Sequence, residues 1–137
     1  LARELGVSNV EFLDPVPLET LPEIIARATI CLGGHFGRSE KARRVIAGKT
    51  FQCLAVGKPT IVGDNPANRE LFSHGENVWM CPMADPTALA NAIRHLLGSP
   101  QLCQKLGEAG RQIILQTSGN AMTFQAVRTI VKAAIIE

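Results

Sequence analysis

TICLGGHFGRSEKARRVIAGKTFQCLAVGKPTIVGD (residues 29–64) contains two short apolar runs, each stopped by glycine, with a basic loop and an apolar helical pattern between them. The first run, 29–32, ends in Gly33-Gly34 and reads as a buried strand feeding a loop. The second, 59–62, is broken by Gly63-Asp64-Asn65 and reads the same way. Between them, 49–56 has helical spacing and is closed by Gly57. A strand, a helix and a second strand in that order form a βαβ unit, and such a unit implies a parallel sheet.

The flanking sequence extends this pattern. Val10, Phe12 and Leu13 predict a short strand closed by Asp14-Pro15, and Leu21, Ile24, Ile25 and Ala28 predict a helix over 22–28. Residues 1–5 read as the end of a helix stopped near Gly6, as though the chain began partway through one. Asn65-Pro66, Asp85-Pro86 and Ser99-Pro100 each pair an N-cap residue with a proline at the first helical position, so three helices should start there. A strand over 78–80 lies between the first two. From Asp85 onward the chain reads helical, with breaks near Gly98 and Ser118-Gly119. The expected fold class is α/β, a Rossmann-like parallel sheet of four strands flanked by helices and missing its first strands. In the last helix, 120–136, Phe124, Val127, Val131, Ala134 and Ile135 form one apolar stripe. That stripe would cover either this domain's own sheet or a neighbouring domain.

Composition excludes several classes. The chain has 137 residues, the size of one domain, and 46 % apolar with 19 % charged residues is a globular balance. No apolar run approaches the roughly 20 residues that cross a bilayer, and no signal peptide is visible. Cys31, Cys53, Cys81 and Cys103 are far apart, without zinc spacing, and read as buried thiols in a reducing cytoplasm. No metal and no cofactor is expected. A net charge of +2 does not by itself call for nucleic acid.

The cations are unevenly placed, however. Arg38, Lys41, Arg43, Arg44 and Lys49 share one short segment. It leaves the carboxyl end of a strand, where ligands of open parallel sheets bind. It then reaches a helix N-terminus, whose free N–H groups and dipole favour an anion. Gly48 lets a ligand approach the backbone. Lys49 in the first turn opposes the helix dipole at a cost of roughly a few tenths of a kcal/mol, a conflict that a bound anion removes. Lys49 and Gln52, three apart, share a face, so Gln52 would reach whatever follows a phosphate, such as ribose hydroxyls. Arg43 and Arg44 add charge. The plain alternative is a solvated basic loop.

The stretch GHFGRSEKARRVIAGKTFQCLAVGKPTIVGDNPANRELFSHGENVWMCPMADPTALANAIRHLL (34–97) resembles the C-terminal, donor-binding domain of retaining GT-B glycosyltransferases of the group 1, family 4 type. The shared features are an alanine-rich helix ending in AVGKP, a RELF-type helix, an HGEN turn and a DPTALANAIRHLL helix. VEFLDPVPLETLPEIIARATICL (10–32) matches the lead-in. The resemblance implies a nucleotide-diphosphate sugar held by Gly48, Lys49 and Thr50 at its phosphates and by Gln52 at its ribose. Glu70 matches a recurrent glutamate.

It further implies a partner N-terminal GT-B domain in the same protein, through which peripheral membrane association would arise, and a role in cell-envelope polysaccharide synthesis. No catalytic residue is expected within this chain, which alone should not transfer sugar. Arg44 and Gln52 stand where the family often has two glutamates, with Glu40 a candidate for a displaced one. The pattern KA-x-RVI-x-x-K (Lys41, Ala42, Arg44, Val45, Ile46, Lys49) resembles a specialised subgroup. A non-catalytic nucleotide- or anion-binding module stays open beside the enzyme. A GT-B epimerase is disfavoured, because no site bearing histidine and glutamate is visible.

Overall fold

A computed structural model describes residues 2–118. A 3-10 turn, Leu18–Thr20, leads into α1 (Leu21–Ala26), β1 (Cys31–Gly34), α2 (Glu40–Arg44), α3 (Gly48–Ala55), β2 (Thr60–Gly63), α4 (Pro66–Leu71), β3 (Trp79–Cys81), α5 (Pro86–Leu97) and α6 (Pro100–Ser118). The strands form one parallel sheet in the order β1-β2-β3. Ile61 lies opposite Leu32 and Trp79, while Val62 lies opposite Gly34 and Met80.

Every residue of β2 is buried, as a central parallel strand requires. Its consecutive side chains point to opposite faces, so Ile61 and Val62 enter different cores. Val62 packs with Leu54, Ala55, Phe72, Val78, Met80 and Ile114. Ile61 packs with Cys81, Ala92, Leu96 and Leu106. Leu106 and Ile114 both belong to α6, so this one helix joins the two cores.

Most local expectations are met. The helices starting at Pro66, Pro86 and Pro100 are present. Asn65 Oδ1 accepts from the Asn68 N–H at 2.7 Å, and Asp85 Oδ1 accepts from the Ala88 N–H at 2.8 Å. Gly57, at φ +80°, ends α3 by donating to Leu54 O while Lys58 donates to Cys53 O. Cys31, Cys53 and Cys81 are buried free thiols. Cys53 sits against Cys31 where α3 lies on β1. Its S–H donates to the Cys31 sulfur, holding the Cys31 thiol below its ordinary range. The same bond, reinforced by burial, pushes the Cys53 thiol up.

Three expectations are corrected. The sheet has three strands among the described residues, because 10–13 forms none. Phe12 is 81 % and Leu13 58 % exposed, with no strand beside them to satisfy the backbone or cover the side chains. The basic loop is not continuous, because Ser39 Oγ accepts from the Ala42 N–H at 3.1 Å and caps α2 within it. The first helix is shorter than expected, ending at Ala26. The 120–136 helix and its apolar stripe lie outside the described residues.

Candidate functional site

The connections leaving β1, β2 and β3 meet at the carboxyl end of the sheet. Gly63 closes β2 so tightly that a Cβ there would lie 2.2 Å from the His35 carbonyl oxygen. Ala84, beyond β3, adopts φ +56°, a conformation disfavoured for residues with a side chain, and its N–H donates to Phe36 O at 2.6 Å. The Asp64 N–H donates to Cys81 O at 2.7 Å.

Two buried asparagines complete this junction. Asn65 caps α4 with its oxygen and donates its Nδ2 to Ala42 O, 2.9 Å away, near the end of α2. Asn68 Nδ2 donates to Gly63 O at 2.8 Å. The arginine-bearing turn is thereby fixed to α4 through groups that lie out of water. A buried hydrogen bond of this kind is expensive to break, since the orphaned carbonyl loses both its protein and its solvent partner.

Against this base the expected site residues fall into distinct places. Lys49 is exposed in the first turn of α3, with its side chain folded back over β1. A Cβ on Gly34 would lie 2.7 Å from Lys49 Cε and 3.2 Å from Nζ. Gly34 itself has φ +89°, so glycine is demanded both by the backbone and by the lysine seated above it. Gly48 is exposed at the helix start, and no side chain caps α3 at Ala47. Gln52 is half-buried one turn along from Lys49.

Thr50 goes elsewhere. Its side chain is fully buried against Gly33, where a Cβ would come within 2.6 Å of Oγ1, and that hydroxyl has no hydrogen-bond partner. Its N–H donates to Ala47 O at 2.9 Å. The Thr50 side chain therefore packs against β1, out of reach of solvent.

The arginines divide as well. Arg44 pairs with Glu40 at 3.2 Å on the exposed face of α2. Arg43 lines a cavity of about 450 Å³ with Arg38, Asp64, Pro66, Pro82 and Met83. Arg38 belongs to the basic segment, but sequence reasoning gave it no place in the site. The missed signal was the Ser39 cap, which starts a helical turn and carries Arg43 back toward Arg38.

Asp64 forms a two-bond pair with Arg69, at 2.5 Å from Nε and 2.7 Å from the second guanidinium nitrogen. The Arg69 guanidinium holds the Asp64 carboxyl below the usual carboxylate range. Asp64 also walls a second cavity of about 420 Å³ with Arg69, Phe72, His74 and Met80. There His74 Nδ1 accepts from the Met80 N–H at 3.0 Å. Glu70 is exposed on α4 and lines neither cavity.

Trp79 is half-buried, with the His74 ring at 4.5 Å and the His95 ring at 4.8 Å. It works as a packed wall between two exposed imidazoles, which accounts for both histidines without catalysis. Among the described residues no group of three or more His, Cys, Asp or Glu could hold a metal, and no helix is long and apolar enough to cross a membrane.

Comparison with known proteins bears on the family and the fold. Residues 2–126 match the family described as glycosyl transferase-like. Over 83 residues, 61 % of this chain and 20 % of the relative, the sequence is 35 % identical to a Bacillus subtilis (strain 168) protein named "Putative glycosyltransferase EpsD". Solved structures superpose on 98 % of the chain. Anabaena Alr3699/HepE in complex with UDP-glucose does so with a TM-score of 0.71 at 19 % identity, over 34 % of its own length. Sucrose-phosphate synthase (tll1590) from Thermosynechococcus elongatus gives 0.70 at 20 % identity, over 31 % of its length. The chain thus spans about a fifth of the curated relative and a third of each structure.

Proposed function

Because the chain belongs to the glycosyl transferase-like family and has the fold of a GT-B C-terminal half, we propose that it is the donor-binding part of a glycosyltransferase, one that moves a sugar from a nucleotide diphosphate to an acceptor with retention. The observation that carries this reading is the position of Lys49. Its ammonium group lies over Gly34 at the carboxyl end of β1, beside a helix start that no side chain caps. A diphosphate there receives a full positive charge, first-turn N–H groups and the positive end of the α3 dipole together.

The same groups give the segment a catalytic contribution. When the bond between sugar and phosphate breaks, negative charge grows on the departing diphosphate, and donors already aimed at that position lower the barrier without reorganising. Gln52, one turn along α3, places an amide where ribose hydroxyls would follow the phosphates. The amide lacks the charge-assisted strength of a carboxylate, so ribose recognition is weaker than with glutamate. The N-terminal GT-B half would supply the acceptor side. Thr50 contributes by packing α3 onto Gly33.

Calorimetric titration with UDP, GDP and ADP tests the site. One nucleotide should bind, and Lys49→Ala should weaken it about tenfold or more, as expected for loss of a charge-assisted contact. Binding that survives the substitution unchanged would remove Lys49 from the site. Arg44 and Gln52 at the glutamate positions favour a second reading, a module that binds nucleotide without transferring sugar. Turnover of a sugar nucleotide by the intact protein, with the anomeric configuration of the product read by NMR, separates the two and tests retention.

A further inference from the structure

The cavity lined by Arg38 and Arg43 is separate from the Lys49 seat and has its own charge. It is lined by the turn after β1, by α2, and by the connections leaving β2 and β3. Nearby carboxylates are already engaged. Both Asp64 oxygens bond Arg69, and Glu40 bonds Arg44 on the outer face of α2. Two guanidiniums therefore share one cavity with its single acid already paired. Like charges so placed repel each other, and an anion between them reverses the sign of the interaction.

The cavity is also pre-formed. Asn65 pins α2 through Ala42 O, Ala84 pins the β3 turn to Phe36 O, and the His35 carbonyl lies where a Cβ on Gly63 would be. At about 450 Å³ it lies toward the small end of ligand pockets, with room for one sugar ring and not for a whole nucleotide. A planar guanidinium fork fits a carboxylate through two parallel bonds, a match that a neutral hydroxyl cannot give.

We infer that this cavity receives a carboxylate carried on the transferred sugar, so that the donor is a nucleotide-linked uronic acid or a similarly acidic sugar. The inference rests on the donor-site reading above, with the Lys49 seat holding the diphosphate and Arg38 and Arg43 selecting the sugar. The pocket's position fits that division, because Gly37 and Arg38 follow Gly34, over which Lys49 lies, by only a few residues.

The test compares donors on the intact protein. UDP, GDP and ADP are titrated first, and the hexose and hexuronate forms of whichever binds are then compared by calorimetry. The hexuronate form should bind about tenfold or more tightly, the return expected from a hydrogen-bonded charge pair. Arg38→Met and Arg43→Met should each bring that ratio toward one. Arg38→Lys, which keeps the charge and loses the fork, should retain part of the preference. Both arginines are exposed, so the fold tolerates these changes.

Equal affinity for the two donors overturns the inference and leaves the donor site standing. A preference that survives both methionine variants overturns the assignment to this cavity. Failure of every nucleotide to bind removes the donor-site reading, and the inference falls with it.

Discussion

The segment VEFL (10–13) and the strand TIVG (60–63) are both rich in apolar residues, yet one lies in solvent and the other is buried at every position. Ile61 and Val62 are fully buried, whereas Phe12 is 81 % exposed. The difference is neighbours. β2 has β1 on one side and β3 on the other, with an apolar core on each face. Residues 10–13 have no strand beside them among the described residues. A strand is therefore a property of a place in a sheet as much as of its own residues.

Substitutions at four positions probe this contrast. The largest effect is expected at Gly63→Ala, where the added methyl meets the His35 carbonyl at 2.2 Å, against backbone that cannot swing away. It should destabilise the fold by about 3 kcal/mol, measured by urea denaturation. A loss under half that would mean the loops beyond β1 and β2 yield more than their packing implies. Asn65→Ala comes next, at about 2 kcal/mol, because it removes a helix cap and leaves Ala42 O buried without its donor. Asn65→Asp, which keeps the cap and not the amide donor, should recover only part.

Asp64 gives a smaller, pH-dependent effect. Its folded pKa is depressed by Arg69, so its stabilising contribution is complete above the unfolded carboxylate value of about 4 and fades as pH falls through the folded one. Arg69 is largely exposed, and water screens the pair, so the effect is modest. Asp64→Asn should lower stability slightly at neutral pH and leave it nearly unchanged at strongly acidic pH, so that the acid limb of a stability-against-pH curve is flatter. An unaltered acid limb would show that the pair does not hold in solution. Phe12→Ser should be the mildest, within about 0.5 kcal/mol of the parent, as for an exposed position. A loss of more than about 1 kcal/mol would show that residues 10–13 are covered in solution, and the contrast with β2 would shrink.

What could be read in the sequence follows from the same distinction. Proline-led helix starts are local chemistry, and Asn65-Pro66 and Asp85-Pro86 behave as their residues dictate. The βαβ order of 29–64 was legible because consecutive elements in a parallel sheet are usually neighbours. The Lys49 position was legible from a glycine and a helix start. The side-chain assignments were harder, because they depend on what lies across the chain. Thr50 is turned inward by the space over Gly33, which no reading of 48–52 reveals. Arg38 and Arg43 meet because Ser39 starts a helical turn and Asn65, 23 residues beyond Ala42, holds it in place. Arg44, one residue on from Arg43, points to Glu40 instead.

The buried sulfur of Cys53 has a use of its own. It lies between α3 and β1, directly beneath the helix whose first turn carries Lys49, and it is shut off from solvent while α3 stays down. An alkylating reagent can reach it only during moments when α3 lifts, so its labelling rate counts those openings. A nucleotide that settles on the first turn of α3 would slow that clock in proportion to occupancy. The site thus contains a built-in reporter that registers a ligand by protection alone, before its base, its sugar or its acceptor has been identified.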